Sequence, residues 1–266
     1  MRGISAKSLA EVLEAVNADK GAANELGDEL FSVVGVLDGA PALRRILTDP
    51  STEDQAKAKL ATKVFGGKVG DGTLKVITVA VQSRWSSGRD LADGLEIAGV
   101  TAHVVAADKA GELDALETEL FDFNRVIVGD SELRQVITDR TVPTEPKTTL
   151  VGQLIDGKVS KATAALAKQA VAARTGSFGK ALAAFADTAA ARRNRLLAQV
   201  RVAYAMGDDE KQRLAAALAA KYGREVHINT IVDPDVVGGI SVAIGDEIVD
   251  GTVSSRLEDA RRRIAG

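Results

Sequence analysis

Four aspartates in the last third of the chain are the residues most able to bind a cation. They are Asp233, Asp235, Asp246 and Asp250, and carboxylate oxygens are preferred ligands of calcium and magnesium. A calcium loop, however, places its oxygen ligands at alternate positions, with glycine sixth and glutamate twelfth. Pro234 and the apolar residues that follow interrupt that order. Two interpretations remain open: residues that shape a turn, which we favour, and a small enzyme that depends on a divalent cation.

A glycine-containing segment, Gly176 to Ala181, is the nearest approach to a phosphate-binding loop. Such a loop needs glycines at set spacing, followed by lysine and a hydroxyl residue that binds magnesium. Here the spacing is two residues short, and Ala181 stands where serine or threonine is required. The segment also follows a predicted helix rather than a strand. We therefore interpret it as a loop and the start of a helix.

The two histidines, His103 and His227, lie in different predicted domains. A zinc site or a histidine-dependent nucleophile would require such residues to cluster. We expect His227 at a solvent-facing strand position and His103 on the surface of a helix or loop. The single tryptophan, Trp85, is either a core residue or an anchor at an interface.

Two short basic runs, Arg192 to Arg195 and Arg261 to Arg263, are the strongest local charges. Cations are favourable at the C-terminal end of a helix, and they also suit contact with an acidic partner helix. Both interpretations stay open. Nucleic-acid binding is disfavoured because no aromatic residues accompany the runs and because 34 basic residues face 37 acidic ones, a net charge of -3.

The composition is that of a globular protein, with 45% hydrophobic and 27% charged residues. There is no cysteine, which excludes a disulfide framework and a thiol nucleophile. No apolar stretch approaches the roughly 20 residues needed to span a bilayer. We expect a soluble intracellular chain, without cofactors, that reaches a membrane only through a partner.

The first two thirds of the chain show helical periodicity. Apolar residues recur at helical spacing in Leu9 to Val16 and in Leu26 to Leu37. Pro50 to Thr52 predicts a stop and a new N-cap, and Gly66-Gly67 the end of the helix that follows. Leu74, Ile77 and Val81 then lead another helix.

This helical region repeats itself. Shifted by about 90 residues, the segment from Glu29 to Arg84 aligns without gaps with Glu119 to Arg174, and roughly a third of the positions are identical. The matches include glycine, phenylalanine, arginine and a threonine-aspartate pair, which chance similarity between alanine-rich helices would not align in one register. We interpret the two halves as duplicates.

The last third has a mixed pattern. Strand-like segments are Leu196 to Met206, Val226 to Val232, Gly239 to Ile244 and Ile248-Val249. A helix from Asp208 to Tyr222, stopped by Gly223, separates the first two, and Gly245-Asp246 suits a hairpin turn. A final helix capped by Thr252 would carry Val253, Leu257, Ala260 and Ile264 on one face. The sequence predicts a mainly α protein, a duplicated N-terminal helical bundle followed by a small α/β C-terminal domain.

The segments Val232 to Ile240 and Gly245 to Val253 resemble the C-terminal signature of the F-type ATP synthase delta subunit, the family of the oligomycin-sensitivity-conferring protein. The signature residues are Asp233, Pro234, Gly238, Gly239, Gly245, Asp246 and Asp250, to which we assign a structural role. Upstream, the helix from Asp208 and both helical halves are similar to the same family. The second half resembles an addition found in longer actinobacterial forms, whereas the opening helix of the family is not obvious at Ser5 to Val16.

The resemblance implies a non-catalytic stator with no cofactor, no metal and no catalytic residue. A helical bundle would bind the N-terminal segment of an alpha subunit on the catalytic head, and the C-terminal domain would bind b-type subunits of the peripheral stalk. The chain would sit peripherally at the cytoplasmic face of the cell membrane, without insertion. We expect a first bundle at residues 1–107, a second at 108–195 and the α/β domain at 196–266; which bundle binds the head stays open.

Overall fold

The computed structural model describes residues 1–139, 141–172, 174, 176–193, 196–223, 226–233, 236, 238–244 and 247–253. The chain divides into two compact units, Met1–Ala190 and Ala191–Gly266. Helices account for the first unit and a helix with a small sheet for the second. The predicted fold class, mainly α with a small α/β part at the end, is confirmed.

The described part of the first unit contains eleven helices, the last of which extends three residues beyond Ala190. They are α1 Ile4–Ala18, α2 Ala23–Gly39, α3 Pro41–Leu47, α4 Asp54–Phe65, α5 Asp71–Gln82, α6 Gly88–Ala110, α7 Leu113–Gly129, α8 Ser131–Thr138, α9 Thr144–Ile155, α10 Lys161–Ala170 and α11 Phe178–Arg193. The apolar stripes seen in the sequence are buried as expected. Val12 and Val16 of α1 and Ile77 and Val81 of α5, for example, are all at most 3% exposed.

The repeat is present in the structure. Helices α2 to α6 begin at residues 23, 41, 54, 71 and 88, and helices α7 to α11 begin at residues 113, 131, 144, 161 and 178. Each start in the second series lies ninety residues after its counterpart. The duplicated register read from identical residues is therefore also the register of the helices, which explains why the sequence aligns without gaps.

Helix α6 belongs to both copies. It is the last helix of the first copy, as α11 is of the second, and its residues 94–108 also correspond by the repeat to α1. Leu91, Leu95 and Ala98 contribute to the hydrophobic core of the first copy. Val100 and Val104 contribute to the core of the second. One continuous helix thus lines two cores, so the two copies share a structural element.

Identical residues make identical contacts in the two copies. The Glu29 carboxylate accepts hydrogen bonds from the Gly70 N–H and the Thr73 hydroxyl at the start of α5. Ninety residues later, Glu119 accepts from the Ser160 N–H and the Thr163 hydroxyl at the start of α10. A carboxylate at a helix N-terminus satisfies amides that have no partner within the helix. The conserved glutamate therefore fixes the start of the same helix twice.

The predicted N-cap at Pro50 to Thr52 is wrong. Helix α4 begins at Asp54 with Glu53 as its N-cap, and no side chain caps it. The N–H and the hydroxyl of Ser51 instead both donate to the Asp49 carboxylate, at 2.8 and 2.7 Å. Because the Ser51 side chain is hydrogen-bonded within this local turn, it does not cap the helix. The predicted stop at Gly66-Gly67 is confirmed, because α4 ends at Phe65.

The second unit is a four-stranded sheet with one helix. Its elements are β1 Leu196–Val202, α12 Asp208–Tyr222, β2 Val226–Val232, β3 Ile240–Ile244 and β4 Glu247–Asp250, in the strand order β2-β1-β3-β4. Strands β1 and β2 are parallel because α12 connects them, whereas β3 and β4 pair antiparallel. Leu218 of α12 packs with Val200 and Val242 in the core. Every predicted strand is found, although β1 ends at Val202 rather than Met206.

Candidate partner-binding surfaces

Of the signature residues that the structure describes, Asp233, Gly239 and Asp250 lie at one end of the small sheet. Asp233 follows β2, and its N–H donates to the Val202 carbonyl at 2.9 Å. Gly239 precedes β3 with φ of 81°, and a Cβ there would lie 2.5 Å from the Gly251 carbonyl oxygen. Glycine is required at this position by both its backbone angle and the close approach. Asp250 belongs to β4 and pairs with Ser241.

Three signature residues, Pro234, Gly245 and Asp246, lie outside the described residues, as does Asp235 of the cation-site interpretation. So do the predicted final helix after Val253 and the basic run at residues 261–263. Within the described part of the chain, no group of three or more histidine, aspartate or glutamate side chains could hold a metal ion.

The expectation that His103 lies on a surface is wrong. Its ring is 1% exposed inside α6, where Nδ1 lies 3.0 Å from the Asn24 amide oxygen and the ring stacks on Phe31 at 5.3 Å between centroids. Nε2 lies 3.3 Å from the Asp28 carboxylate. The sequence signal was present, since Val100 and Val104 place this stretch on a helix, but α6 is buried on nearly every side because it is shared by both copies.

Three other candidates have a structural explanation. Trp85 is 8% exposed in the first core, and its indole N–H donates to the Ala80 carbonyl at 2.7 Å, so it is a core residue. The glycine-containing segment follows α10 and leads into α11 at Phe178, as predicted. Arg192 and Arg193 lie in the last turn of α11, where cations are favourable.

A buried charge cluster joins the two copies, and sequence reasoning missed it. We define the Arg174 cluster as Arg174, Asp38, Asp93, Glu96 and Gln169. The guanidinium, 8% exposed, binds Asp38 of α2 and donates from Nε and Nη2 to Asp93 of α6 at 3.0 and 2.7 Å. Its Nε also lies 3.8 Å from Glu96, which accepts from Gln169 of α10 at 2.7 Å.

The cluster connects helices of both copies at one point. Arg174 and Gln169 belong to the second copy, Asp38 belongs to the first, and α6 is shared. The repeat equivalent of Arg174 is Arg84, which is exposed. The two arginines have the same position in the repeat, and the contacts that enclose Arg174 come from Asp38 of α2 and Asp93 of α6.

Glu96 is expected to make stability depend on pH. Burial raises the pKa of this carboxyl, although the Gln169 hydrogen bond and Arg174 act in the opposite direction. Because the pKa of Glu96 is higher in the folded chain than in the unfolded chain, the folded chain retains this proton to a higher pH. The free energy of unfolding therefore falls as pH rises from the unfolded-state pKa through the folded-state pKa. Urea unfolding of wild type and Glu96→Gln at pH about 4.5 and about 7.5 measures this dependence. The free energy of unfolding of the variant, relative to wild type, should be higher at pH about 7.5 than at pH about 4.5. An equal difference at both pH values would contradict this assignment.

An open groove lies on the first copy between α4 and α5. This α4–α5 groove has a volume of about 410 Å³ and is lined by Thr62, Asp71, Leu74, Lys75, Thr78 and Val79. Leu74 and Val79 are half-buried and provide an apolar floor. At the equivalent second-copy positions stand Gly152, Lys161, Ala164, Ala165, Lys168 and Gln169. The duplication has thus kept the helices but not this apolar surface.

A family model described as "ATP synthase delta (OSCP) subunit" matches residues 100–264. The match covers most of the chain, including the second helical copy and the small α/β unit. The chain belongs to this family.

Curated relatives of the delta family extend the similarity to the first copy. An "ATP synthase subunit delta" from Streptomyces griseus is 45% identical over 245 residues, 92% of this chain and 90% of the relative. One from Acidothermus cellulolyticus is 41% identical and covers 100% of both chains. The predicted resemblance to the delta subunit, in its longer actinobacterial form, is confirmed.

Among solved structures, a chain in the "Cryo-EM structure of Toxoplasma gondii mitochondrial ATP synthase hexamer" matches 63% of this chain and 95% of its own length. Its identity is 16% and its TM-score 0.29, and a score this low carries no structural argument.

Membership of the delta family makes this chain a component of the F-type ATP synthase, with a part in ATP synthesis and ion transport. The prediction of a subunit rather than an enzyme agrees with the names of the relatives. The alternative, an enzyme dependent on a divalent cation, is supported by none of these similarities. Of the helices that the structure describes, none has the length and apolarity needed to cross a membrane.

Proposed function

We propose that this delta-family chain is a non-catalytic stator, which links the catalytic head to the peripheral stalk. The head would be bound through N-terminal segments of alpha subunits and the stalk through its b-type subunits, at the cytoplasmic face of the cell membrane. The observation that carries this is family membership over the full length of the chain. A stator must resist the torque that would otherwise turn the head with the rotor.

The helical unit has features that suit such a load. Helix α6 runs for 23 residues through both copies, and the Arg174 cluster connects α2, α6 and the end of α10. Force applied to one copy would pass to the other along a hydrogen-bonded helix, without a flexible linker between them. We keep the division into residues 1–107, 108–195 and 196–266 as a proposal for modules that bind different partners. The seven signature residues would serve the third module structurally.

We assign head binding to the first copy. An amphipathic helix binds by placing its apolar face in a complementary groove, and the α4–α5 groove offers Leu74 and Val79 for that purpose. The second copy has Ala164 and Gln169 at these positions, and Gln169 already bonds Glu96. Lys75 and Asp71 at the edge could pair with charges that flank the apolar face of the bound helix.

The test exchanges residues between the copies. In the full chain, Leu74→Ala with Val79→Gln gives the first copy the residues of the second. Loss of the buried methylene groups, at about 0.8 kcal/mol each, should weaken binding of a fluorescent alpha-subunit N-terminal peptide at least tenfold, measured by fluorescence anisotropy. The matched control is Ala164→Gln in the second copy, which should leave the affinity unchanged.

Circular dichroism of both variants establishes that they are folded. If the exchanged variant bound the peptide as tightly as wild type, the first-copy groove would be the wrong surface. If neither wild type nor any variant bound the peptide, or if purified chain failed to join head and stalk subunits in one complex, the stator function itself would be contradicted.

A further inference from the structure

A buried lysine in the second copy lacks the carboxylate that its counterpart has. Lys57 and Lys147 are repeat equivalents and are 4% and 7% exposed. The Lys57 ammonium lies 2.8 Å from the Asp54 carboxylate. At the position equivalent to Asp54 the second copy has Thr144. No ion pair joins Lys147 to a carboxylate among the described residues.

The Lys147 ammonium has a backbone partner within the described part of the chain. It donates to the Asp139 carbonyl oxygen at 2.5 Å. The Asp139 carboxylate accepts from the N–H and hydroxyl of Thr141, at 2.8 and 2.7 Å. These hydrogen bonds, and to a smaller extent the charge of Lys147, lower the pKa of the Asp139 carboxyl. Asp49 makes the same contacts with Ser51 in the first copy, yet Lys57 has Asp54 in addition. The difference between the copies is therefore one missing negative charge beside a buried cation.

Lys147 lines a cavity of about 460 Å³, which we call the Lys147 cavity. Thr144 and Ser177, which carry hydroxyl groups, also line it, and α11 begins beside it at Phe178. The first amides of a helix have no acceptor within the helix and favour a negative charge. Ile137, Val142, Val171 and Phe178 provide an apolar part of the lining.

We propose that the Lys147 cavity binds an oxyanion, a phosphate or carboxylate group, held by the Lys147 ammonium, the Thr144 and Ser177 hydroxyls and the first amides of α11. A buried charge is costly without a counter-charge, and the ligand supplies the one that Asp54 provides in the first copy. The cavity is larger than an inorganic phosphate, and its apolar wall suits a short organic body attached to the anionic group. The ligand class is thus a small organic phosphate or carboxylate.

The experiment titrates the full chain, in chloride buffer, with inorganic phosphate, phenyl phosphate and benzoate, and follows backbone amide resonances by NMR. We expect saturable shifts at Lys147 and at the start of α11, with phenyl phosphate binding more tightly than inorganic phosphate. Equal affinity for the two phosphates would identify free phosphate as the ligand and would still support the oxyanion site. Benzoate binding would show that a planar carboxylate suffices.

Two variants make the outcome decisive. Thr144→Asp gives Lys147 the carboxylate that Lys57 has, so it should retain the fold and weaken anion binding at least tenfold. Lys147→Met should weaken it to the same degree. Lys161→Met removes an exposed positive charge from the same copy and should change nothing. Weak, non-saturating shifts that are alike in all four proteins would mean an adventitious ion only and would overturn the proposal.

Discussion

Replacing Arg174 by methionine is expected to lower the free energy of unfolding by about 3–5 kcal/mol, the usual cost of removing one member of a buried ion pair. The substitution leaves Asp93 and Glu96 in a largely buried site without a cation. It also removes the contact from the second copy to Asp38 of the first. Urea unfolding followed by far-ultraviolet circular dichroism measures the loss.

The repeat provides the matched control for this prediction. Arg84→Met changes the equivalent arginine of the first copy, which is exposed, and should alter stability by no more than about 0.5 kcal/mol. Trp85, the single tryptophan, is buried in the first core and reports on that copy alone. In wild type the fluorescence and dichroism transitions should coincide, and in Arg174→Met they should separate. Equal losses in the two variants would show that the cluster does not join the copies.

Gly27→Ala is expected to destabilise the chain by about 1–3 kcal/mol through overpacking. A Cβ at this position of α2 would lie 2.5 Å from Nε2 of His103. The imidazole has little freedom to move, because it is buried, stacked on Phe31 and hydrogen-bonded to Asn24. Thermal unfolding of the full chain should show a lower midpoint.

Gly35→Ala in the same helix is the control, because it should change stability in the opposite direction to Gly27→Ala. No atom lies within 4 Å of a Cβ at Gly35, so alanine adds only helix propensity, and stability should rise by about 0.5–1 kcal/mol. If both substitutions raised the midpoint, the close approach of α2 and α6 would not be a constraint. If both lowered it, the cost at Gly27 could not be attributed to His103.

The local elements of the fold were predictable from the sequence. Apolar spacing predicted helices of the first copy, and the repeat extended them to the second. Alternation, β-branched residues and a hairpin turn predicted the four strands of the small sheet. Gly66-Gly67 and Gly223 correctly predicted helix ends. These features depend on residues close in the chain, where periodicity and glycine act directly. The N-cap predicted at Pro50 to Thr52 was wrong for a local reason too, because the Ser51 hydroxyl donates to Asp49.

The family was also readable from the sequence, because it depends on a short segment with fixed residues. Its signature places Asp233 and Gly239 at one end of the sheet, where a Cβ on Gly239 would clash with the Gly251 carbonyl. The repeat was visible in the same way, as identities ninety residues apart that hold equivalent helix starts, such as Glu29 and Glu119.

The sequence alone determined which segments are helix or strand, that the N-terminal helical region is duplicated, and to which family the chain belongs. Only the tertiary structure decided which residues are enclosed: Arg174 is buried and Arg84 exposed, Lys57 and Lys147 are both buried, and His103 lies within a helix shared by two cores. Burial and ion pairing depend on which distant surfaces meet. Two residues at the same position of the repeat can therefore have different environments, and the periodicity of the chain does not distinguish them.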